Sequence, residues 1–269
     1  MALLKRHKDS HKGDNGVVLV VGGSEIYSGA PAFTSLAAYR TGVDIVYTAT
    51  PRRAADIVAT FSPEMITIPL LGKFLDKMHI PVIEEYLEKV DVLAIGPGLG
   101  TEKYTMQACR DIISKCNVPM VIDADALKAL AGNLKILKNK ECVLTPHRGE
   151  FEIISGGQKA VEENVRKFTA GLSEKNIVTV LKAPVDIITD GHRIKKNTTG
   201  NPGMTIGGTG DTLTGIVAAL IAQKVNLFDA ACNAAFINGK AGDLCFSEKG
   251  CGLITSDIIE KIPEIIKNL

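Results

Sequence analysis

N-P-G-M-T-I-G-G-T-G-D-T-L-T-G, residues 201–215, places five glycines, four threonines and one aspartate where a loop runs into an apolar stretch. Glycines let the backbone approach a ligand closely. The start of a helix presents free N–H groups and a positive partial charge. The segment therefore predicts an anion-binding loop that opens a helix, with phosphate as its most common ligand.

Asp211 is the unusual residue of this loop, because its carboxylate would repel a bound phosphate. A base that takes a proton from a substrate hydroxyl beside a phosphoryl group accounts for an acid at this position. The alternative is a glycine-rich turn capped by Asp211, since acids are ordinary N-caps and glycines ordinary turn residues. We interpret 207–210 as an anion hole and Asp211 as a catalytic carboxylate.

The composition excludes several classes of function. The 31 basic and 30 acidic side chains nearly balance, which argues against a surface for nucleic acid or acidic lipid. No linker or charge block divides the chain, so we expect a single domain over residues 1–269. The six cysteines form no C-x-x-C pair, which indicates reduced thiols. No segment has the apolar length of a signal peptide or membrane span, so we expect a cytoplasmic protein.

Short apolar runs alternate with amphipathic stretches along the chain. The runs lack polar alternation, as expected of parallel strands covered on both faces. The pattern predicts an α/β fold with a mostly parallel central sheet and helices on both faces. An antiparallel hairpin is predicted at 184–189 and 193–196, joined through Asp190-Gly191. The predicted strands are 17–21, 45–48, 92–95, 120–122, 142–144 and 177–181; the predicted helices are 32–40, 106–115, 161–174, 213–223, 227–246 and 256–267.

Glycines, acids and a histidine follow several of these strands. Ligands of open α/β sheets bind beyond the carboxyl ends of the strands. Each group alone has a plain interpretation as a tight turn, a helix cap or a polar loop. Together, at successive strand ends, they favour a ligand site. The groups are Gly22-Gly23-Ser24 with Ser28-Gly29-Ala30-Pro31, Gly96-Pro97-Gly98-Leu99-Gly100, Asp123-Ala124-Asp125 and Thr145-Pro146-His147-Arg148-Gly149-Glu150.

These motifs, in this order, resemble the NAD(P)H-hydrate dehydratase family of the ribokinase-like superfamily over about residues 13–263. The matching pieces are G-D-N-G-V-V-L-V-V-G-G-S, S-G-A-P, G-P-G-L-G, D-A-D-A-L, L-T-P-H-R-G-E-F, N-P-G-M, G-G-T-G-D-T-L-T-G, A-G-D-L and T-S-D-I-I. The resemblance implies dehydration of the S epimer of hydrated NADH or NADPH. ADP or ATP would be consumed, and AMP or ADP would be released with phosphate.

The resemblance also implies roles for individual residues. Asp211 would be the base, and magnesium is expected, although no motif names its ligands. The hydrated dinucleotide would contact Ala30, Gly98, Gly100, His147 and Asp211. The nucleotide would contact Lys182, Ala183, Pro184, Val185, Asp186, Gly208, Thr209 and Gly210.

Two positions depart from the family pattern. The family usually has K-G-x-x-T where this chain has Lys182-Ala183-Pro184-Val185-Asp186, and an aspartate facing phosphate would cost free energy. Relatives usually carry histidine where this chain has Asn238. Lys182 itself could be a solvated surface lysine instead of a phosphate ligand.

Two other functions remain open at this point. One is a ribokinase-like kinase of a small alcohol, of the hydroxyethylthiazole or hydroxymethylpyrimidine type. The other is a nucleotide sensor without activity. The resemblance further implies a homo-oligomer, commonly a tetramer, and a separate epimerase acting on the same hydrates. The choices between ADP and ATP, and between NADH hydrate and NADPH hydrate, are left open.

Overall fold

The computed structural model describes Arg6, residues 8–172 and residues 176–269. The described residues form a nine-stranded sheet in the order β3-β2-β1-β4-β5-β6-β7-β8-β9. Strands β1 to β7 are parallel, and β8 and β9 form an antiparallel extension at the β7 edge. The strands are β1 (Val17–Val21), β2 (Ile45–Pro51), β3 (Ile66–Leu70), β4 (Val92–Ile95), β5 (Met120–Ile122), β6 (Cys142–Leu144), β7 (Ile177–Leu181), β8 (Asp186–Thr189) and β9 (Ile194–Asn197).

Helices cover both faces of this sheet, as predicted. Alternate residues of a strand point to opposite faces, so Val18 and Val20 join one apolar core while Leu19 and Val21 join the other. The first core contains α1, α8, α9 and α10, and the second contains α3 to α7. The helices are α1 (Gly29–Thr41), α2 (Arg52–Val58), α3 (Ile80–Leu87), α4 (Lys103–Lys115), α5 (Ala124–Leu130), α6 (Arg148–Ile154), α7 (Glu162–Leu172), α8 (Thr209–Ala222), α9 (Leu227–Lys249) and α10 (Thr255–Lys267).

The fully buried strands agree with the sequence-based expectation. Five of the six predicted runs have the observed bounds, and β2 continues three residues further, to Pro51. Strand β3 was not predicted, because it is an edge strand in which exposed and buried positions mix and Pro69 interrupts the apolar run. The helix predicted at 161–174 begins at Glu162, and its last two predicted positions lie outside the described residues. Within the described part of the chain, no helix combines the length and apolar character of a membrane span.

Helix α8 begins earlier than the apolar pattern indicated. The prediction began at Leu213, whereas the helix begins at Thr209, so Asp211 lies in its first turn. Gly208 is the N-cap and has φ 105°, a conformation that favours glycine. The Thr212 hydroxyl donates to the Gly208 carbonyl at 3.0 Å, which closes this first turn.

The predicted hairpin is present with a longer turn. Strands β8 and β9 are joined by residues 190–193, one residue more than the predicted strand bounds leave for the turn that contains Asp190-Gly191. The Asp190 carboxylate accepts hydrogen bonds from the backbone N–H groups of His192 (3.0 Å) and Arg193 (2.7 Å), which stabilises the wider loop. The hairpin places the residues that follow β7 beside those that begin β8.

Close packing of α8 on α1 fixes the direction of α8. A β-carbon at Gly215 would lie 2.1 Å from the Thr34 carbonyl oxygen and 2.9 Å from the Ala37 Cβ. The two helices can approach this closely only with glycine at that position. The N-terminus of α8 is thereby held at the carboxyl edge of the sheet.

We predict that Gly215→Ala lowers the free energy of unfolding by about 1–3 kcal/mol, because the added methyl group has to separate α1 from α8. Gly171→Ala is the control, since no described atom lies within 4 Å of the added carbon. That change should be neutral or stabilise by up to about 1 kcal/mol. Denaturant unfolding of both variants measures the difference, and equal stabilities would contradict the packing argument.

Candidate functional site

The glycine-rich loop and the start of α8 form the centre of the candidate site. The first backbone hydrogen bond of the helix runs from Thr212 N to Gly208 O at 2.9 Å. The N–H groups that precede Thr212 therefore have no partner within the helix. They point beyond the helix N-terminus, where the partial charge of the helix favours anions. The fold therefore presents free N–H groups at this loop, and anion binding there stays a prediction.

Two motifs near the C-terminal end of the sequence form hydrogen bonds with this loop. The Asp243 carboxylate accepts from Gly200 N at 3.2 Å and from the Asn201 side-chain amide at 3.0 Å. The Thr255 hydroxyl donates to the Gly207 carbonyl at 2.7 Å. The A-G-D-L and T-S-D-I-I segments therefore fix the loop conformation. The motifs were visible in the sequence, but this supporting role was not.

Lys182 follows β7 and reaches the start of α8. Its ammonium nitrogen lies 2.8 Å from Asp123 Oδ1 and 3.9 Å from Glu150 Oε2. It also lies 3.1 Å from where a β-carbon of Gly210 would be. Burial disfavours the ammonium, but Asp123 and Glu150 outweigh that effect and raise the pKa of Lys182. Lys182 is therefore a held cation beside the anion hole, and the surface-lysine interpretation is wrong.

Asp123 joins Lys182 to α8. Its second carboxylate oxygen accepts a hydrogen bond from the Thr214 hydroxyl at 2.8 Å, so both oxygens of this buried group have partners. Asp123 occupies the N-cap position of α5, yet its side chain makes no capping hydrogen bond. The helix-cap interpretation of Asp123 is therefore wrong, and the carboxylate faces the site.

His147 and Glu150 form the next wall of the site. The Glu150 carboxylate accepts from His147 N at 2.9 Å, and the His147 Nδ1 accepts from Glu150 N at 3.2 Å. This reciprocal capping begins α6 and buries the Glu150 side chain. Lys182 N donates to Pro146 O at 2.8 Å, which ties the two strand ends together. The exposed His147 ring lies at the mouth of the site.

The charges around Asp211 change its acidity. The pKa of Asp211 is raised to about 7, and burial is the largest cause. The negative charge of Asp123 contributes to this rise, and the Lys182 ammonium opposes it. The carboxylates of Asp125 and Glu150 add smaller upward shifts. A carboxylate with a pKa near neutrality is well matched to proton transfer at physiological pH.

The start of α1, after β1, places Ala30 next to the Gly98 turn, which follows β4. Gly98 has φ 68°, and a β-carbon there would lie 3.0 Å from the Ala30 Cβ. Gly100 N donates to the Asp125 carboxylate at 2.9 Å, which fixes the end of this turn. In α1, the Phe33 ring lies against Gly208. The predicted contacts for the hydrated dinucleotide therefore border the same edge as the anion hole.

The carboxylate of Asp186 turns back onto its own loop. It accepts from Ala183 N at 3.0 Å and from the Asn197 side-chain amide at 3.0 Å. Burial raises its pKa, and the hydrogen bonds from Asn197 and Ala183 oppose that shift. The cost expected for an acid facing phosphate is reduced, since the side chain braces the turn after Lys182. A phosphate contact at this position stays a prediction.

Asn238 lies beneath the first turn of α8. Its side-chain amide donates to the Thr209 carbonyl at 3.3 Å. Its Oδ1 is buried and has no hydrogen-bond partner among the described residues. The asparagine in place of the usual histidine therefore keeps a contact to the helix that carries Asp211.

The site offers carboxylates but no preformed metal cage. Across residues 8–172 and 176–269, no three His, Cys, Asp or Glu side chains form a group that could hold a metal ion. The Lys182 ammonium already neutralises the carboxylate of Asp123. Magnesium at nucleotide sites is usually held by phosphates and waters with one or two carboxylates. Magnesium therefore stays a prediction for this chain.

Comparisons with known proteins agree with this geometry. The sequence profile described as NAD(P)H-hydrate dehydratase matches residues 18–264. A bifunctional NAD(P)H-hydrate repair enzyme of Pyrobaculum aerophilum is 43% identical over 97% of this chain and 52% of its own length. An ADP-dependent (S)-NAD(P)H-hydrate dehydratase of Cenarchaeum symbiosum is 38% identical over 97% of this chain and 92% of its own length. The chain spans about half the length of the bifunctional relatives.

Solved structures confirm the predicted ribokinase-like fold. A ribokinase-like superfamily protein of Enterococcus faecalis has a TM-score of 0.87 and 25% identity, over 98% of this chain and 91% of its own. An ADP/ATP-dependent NAD(P)H-hydrate dehydratase of Bacillus subtilis, co-crystallised with ATP and Mg²⁺, has a TM-score of 0.81 and 26% identity, over 99% and 94% of the two chains.

The raised pKa of Asp211 predicts how Asp211→Asn changes stability. The unfolded chain loses this proton near pH 4 and the folded chain near pH 7, so ionisation of Asp211 destabilises the fold progressively between those values. Asp211→Asn should therefore stabilise the ligand-free protein by roughly 1–2 kcal/mol above pH 7, after allowance for solvent screening. Below about pH 4 the two proteins should unfold alike. Thermal unfolding across this range tests the prediction, and a gain that is constant with pH would contradict it.

Proposed function

Because this chain belongs to the NAD(P)H-hydrate dehydratase family, we propose that it dehydrates the S epimer of hydrated NADH or NADPH, using ADP or ATP and releasing AMP or ADP with phosphate. The observation that carries the proposal is the position of Asp211. Its carboxylate, with a pKa near neutrality, lies in the first turn of α8 among free N–H groups and beside the Lys182 ammonium.

The proposed reaction converts a poor leaving group into a good one. Asp211 removes the proton of the ring hydroxyl as that oxygen forms a bond to the terminal phosphorus of the nucleotide, and the bond to the shorter nucleotide breaks. The ring nitrogen lone pair then expels phosphate, and the neighbouring carbon loses a proton to form the double bond of the reduced nicotinamide. The N–H groups of Gly208, Thr209 and Gly210 stabilise negative charge on the transferred phosphoryl group.

The two ligands would occupy opposite sides of Asp211. The hydrated dinucleotide would lie against Ala30, the 98–100 turn and His147, at the carboxyl edge of the sheet. The nucleotide phosphates would lie between the 182–186 turn and the 208–210 loop, where Lys182 is already positioned. The hydroxyl and the phosphoryl group would then meet at the carboxylate of Asp211.

The electrostatics of the site support a nucleotide that carries Mg²⁺. The Lys182 ammonium is already close to the Asp123 and Glu150 carboxylates, and Asp211 adds a third acid. A polyphosphate brings several more negative charges, so an added cation is needed for tight binding. The Bacillus subtilis protein was co-crystallised with ATP and Mg²⁺, and the Cenarchaeum protein is named ADP-dependent. Both nucleotides should therefore be tested with this chain.

The wider setting is part of the same proposal. We infer one dehydratase domain, a homo-oligomer such as a tetramer, and action in the cytoplasm. An epimerase that interconverts the hydrate forms would supply the S epimer. The name of the Pyrobaculum relative, a bifunctional repair enzyme, supports such a functional link.

The proposed reaction predicts recovery of reduced-nicotinamide absorbance from hydrated NADH or NADPH, with one phosphate released for each molecule repaired. Reactions with Mg²⁺ and no nucleotide, ADP or ATP identify the donor. Asp211→Asn should lower turnover by about 10²–10⁴-fold, because the base is lost, while nucleotide still binds. Asp229→Asn is the control, since Asp229 is an exposed acid in the first turn of α9.

Four results would contradict this proposal. Recovery without nucleotide would remove the phosphoryl step. A stable phosphorylated small alcohol as the product would establish the kinase alternative. Full turnover by Asp211→Asn would remove the base, whereas nucleotide binding without any turnover by the native chain would favour the sensor.

The acidity of Asp211 predicts the pH dependence of kcat/KM. The base must be ionised, so the rate should fall about tenfold for each pH unit below about 7. Burial of Asp211 contributes most to this midpoint, and the carboxylates of Asp123, Asp125 and Glu150 and the ammonium of Lys182 adjust it. A pH–rate profile measured with saturating nucleotide tests it. A rate that stays constant from about pH 8 down to pH 5 would exclude a base with this acidity.

A further inference from the structure

We propose that Asp123 is the positioning residue of the nucleotide site: it holds the Lys182 ammonium beside Gly210 and connects it to α8 through Thr214. The inference rests on the proposed function, because it assigns Lys182 to a nucleotide phosphate. It adds a residue outside the predicted contact set and a specific route by which that residue acts.

The geometry around Asp123 leaves little freedom. Its N–H donates to the Ile95 carbonyl at 3.0 Å, which fixes the backbone to the end of β4. One carboxylate oxygen lies 2.8 Å from Lys182 Nζ and the other 2.8 Å from Thr214 Oγ1. The side chain is only 2% exposed. Burying a carboxylate this deeply costs free energy unless the carboxylate is paired. Asp123 therefore keeps Lys182 and Thr214 in place.

Positioning matters because a lysine side chain is flexible. Its four-carbon chain has many rotamers, and a binding site has to remove that conformational freedom. In this chain the ammonium is already ordered, 3.1 Å from where a Gly210 β-carbon would lie. A nucleotide therefore meets a cation in place, and less free energy is spent on ordering it.

Two effects of Asp123 on phosphate binding have opposite signs. Its negative charge repels the phosphate and competes for Lys182, whereas its geometry presents Lys182 to the anion hole. Thr214 separates these effects, because it is neutral and its hydroxyl donates to the Asp123 carboxylate. Loss of the Thr214 hydroxyl removes the geometric support and leaves every charge in place.

The test is the equilibrium dissociation constant for MgADP and MgATP, measured on the full chain without hydrated dinucleotide. We expect Thr214→Val to weaken binding about threefold to tenfold and Asp123→Asn about tenfold, the range of a typical lost hydrogen bond. Thr214→Ser should restore the native constant. Thr41→Val is the matched control, because Thr41 is a buried helix threonine whose hydroxyl donates to Ala37 O.

A double-mutant cycle with Lys182→Met shows whether the effect passes through the lysine. In that background, Thr214→Val should change the dissociation constant by less than twofold. Equal effects of Thr214→Val with and without Lys182 would overturn the positioning role. So would native or tighter binding by folded Thr214→Val and Asp123→Asn. Failure of the native chain to bind either nucleotide would instead overturn the proposed function on which the role depends.

Discussion

The Lys182 ammonium among buried carboxylates is the interaction on which the rest of the site depends. The strands β5, β6 and β7 end side by side, so the residues that follow them, Asp123, His147 with Glu150, and Lys182, converge at one edge. An ammonium and a carboxylate can be buried there only as a pair, because either one alone would lose its hydration without compensation. The pair therefore fixes the strand ends relative to one another and to α8.

This arrangement also explains the acidity of Asp211. The carboxylate lies at the N-terminus of α8, where the positive partial charge of the helix by itself favours the ionised form. Burial and the neighbouring carboxylates act in the opposite direction and raise the pKa to about 7. The result is a group that can be ionised and can also accept a proton near neutral pH.

The sequence contained most of the fold and part of the site. The buried strands could be predicted because they are covered on both faces and carry uninterrupted apolar runs. The start of α8 could not, because its first turn is polar and glycine-rich. It depends on Gly208 and on the hydrogen bond from the Thr255 hydroxyl to the Gly207 carbonyl, 48 residues away along the chain. The contact of Thr214 with the site could not be predicted for the same reason. Its partner Asp123 is 91 residues away, and a threonine inside an apolar helix gives no local signal of that contact.

The departure at Asp186 shows how the site tolerates a change of residue type. A threonine at this position could offer its hydroxyl to phosphate, whereas an aspartate there would add negative charge. The carboxylate instead accepts from Ala183 N and from the Asn197 amide, so it replaces a phosphate contact with bracing of the turn. That bracing uses the N–H of Ala183, which a phosphate could otherwise have bound. Under the proposed function, recognition of phosphate would therefore fall more heavily on the Lys182 ammonium and on the N–H groups of α8.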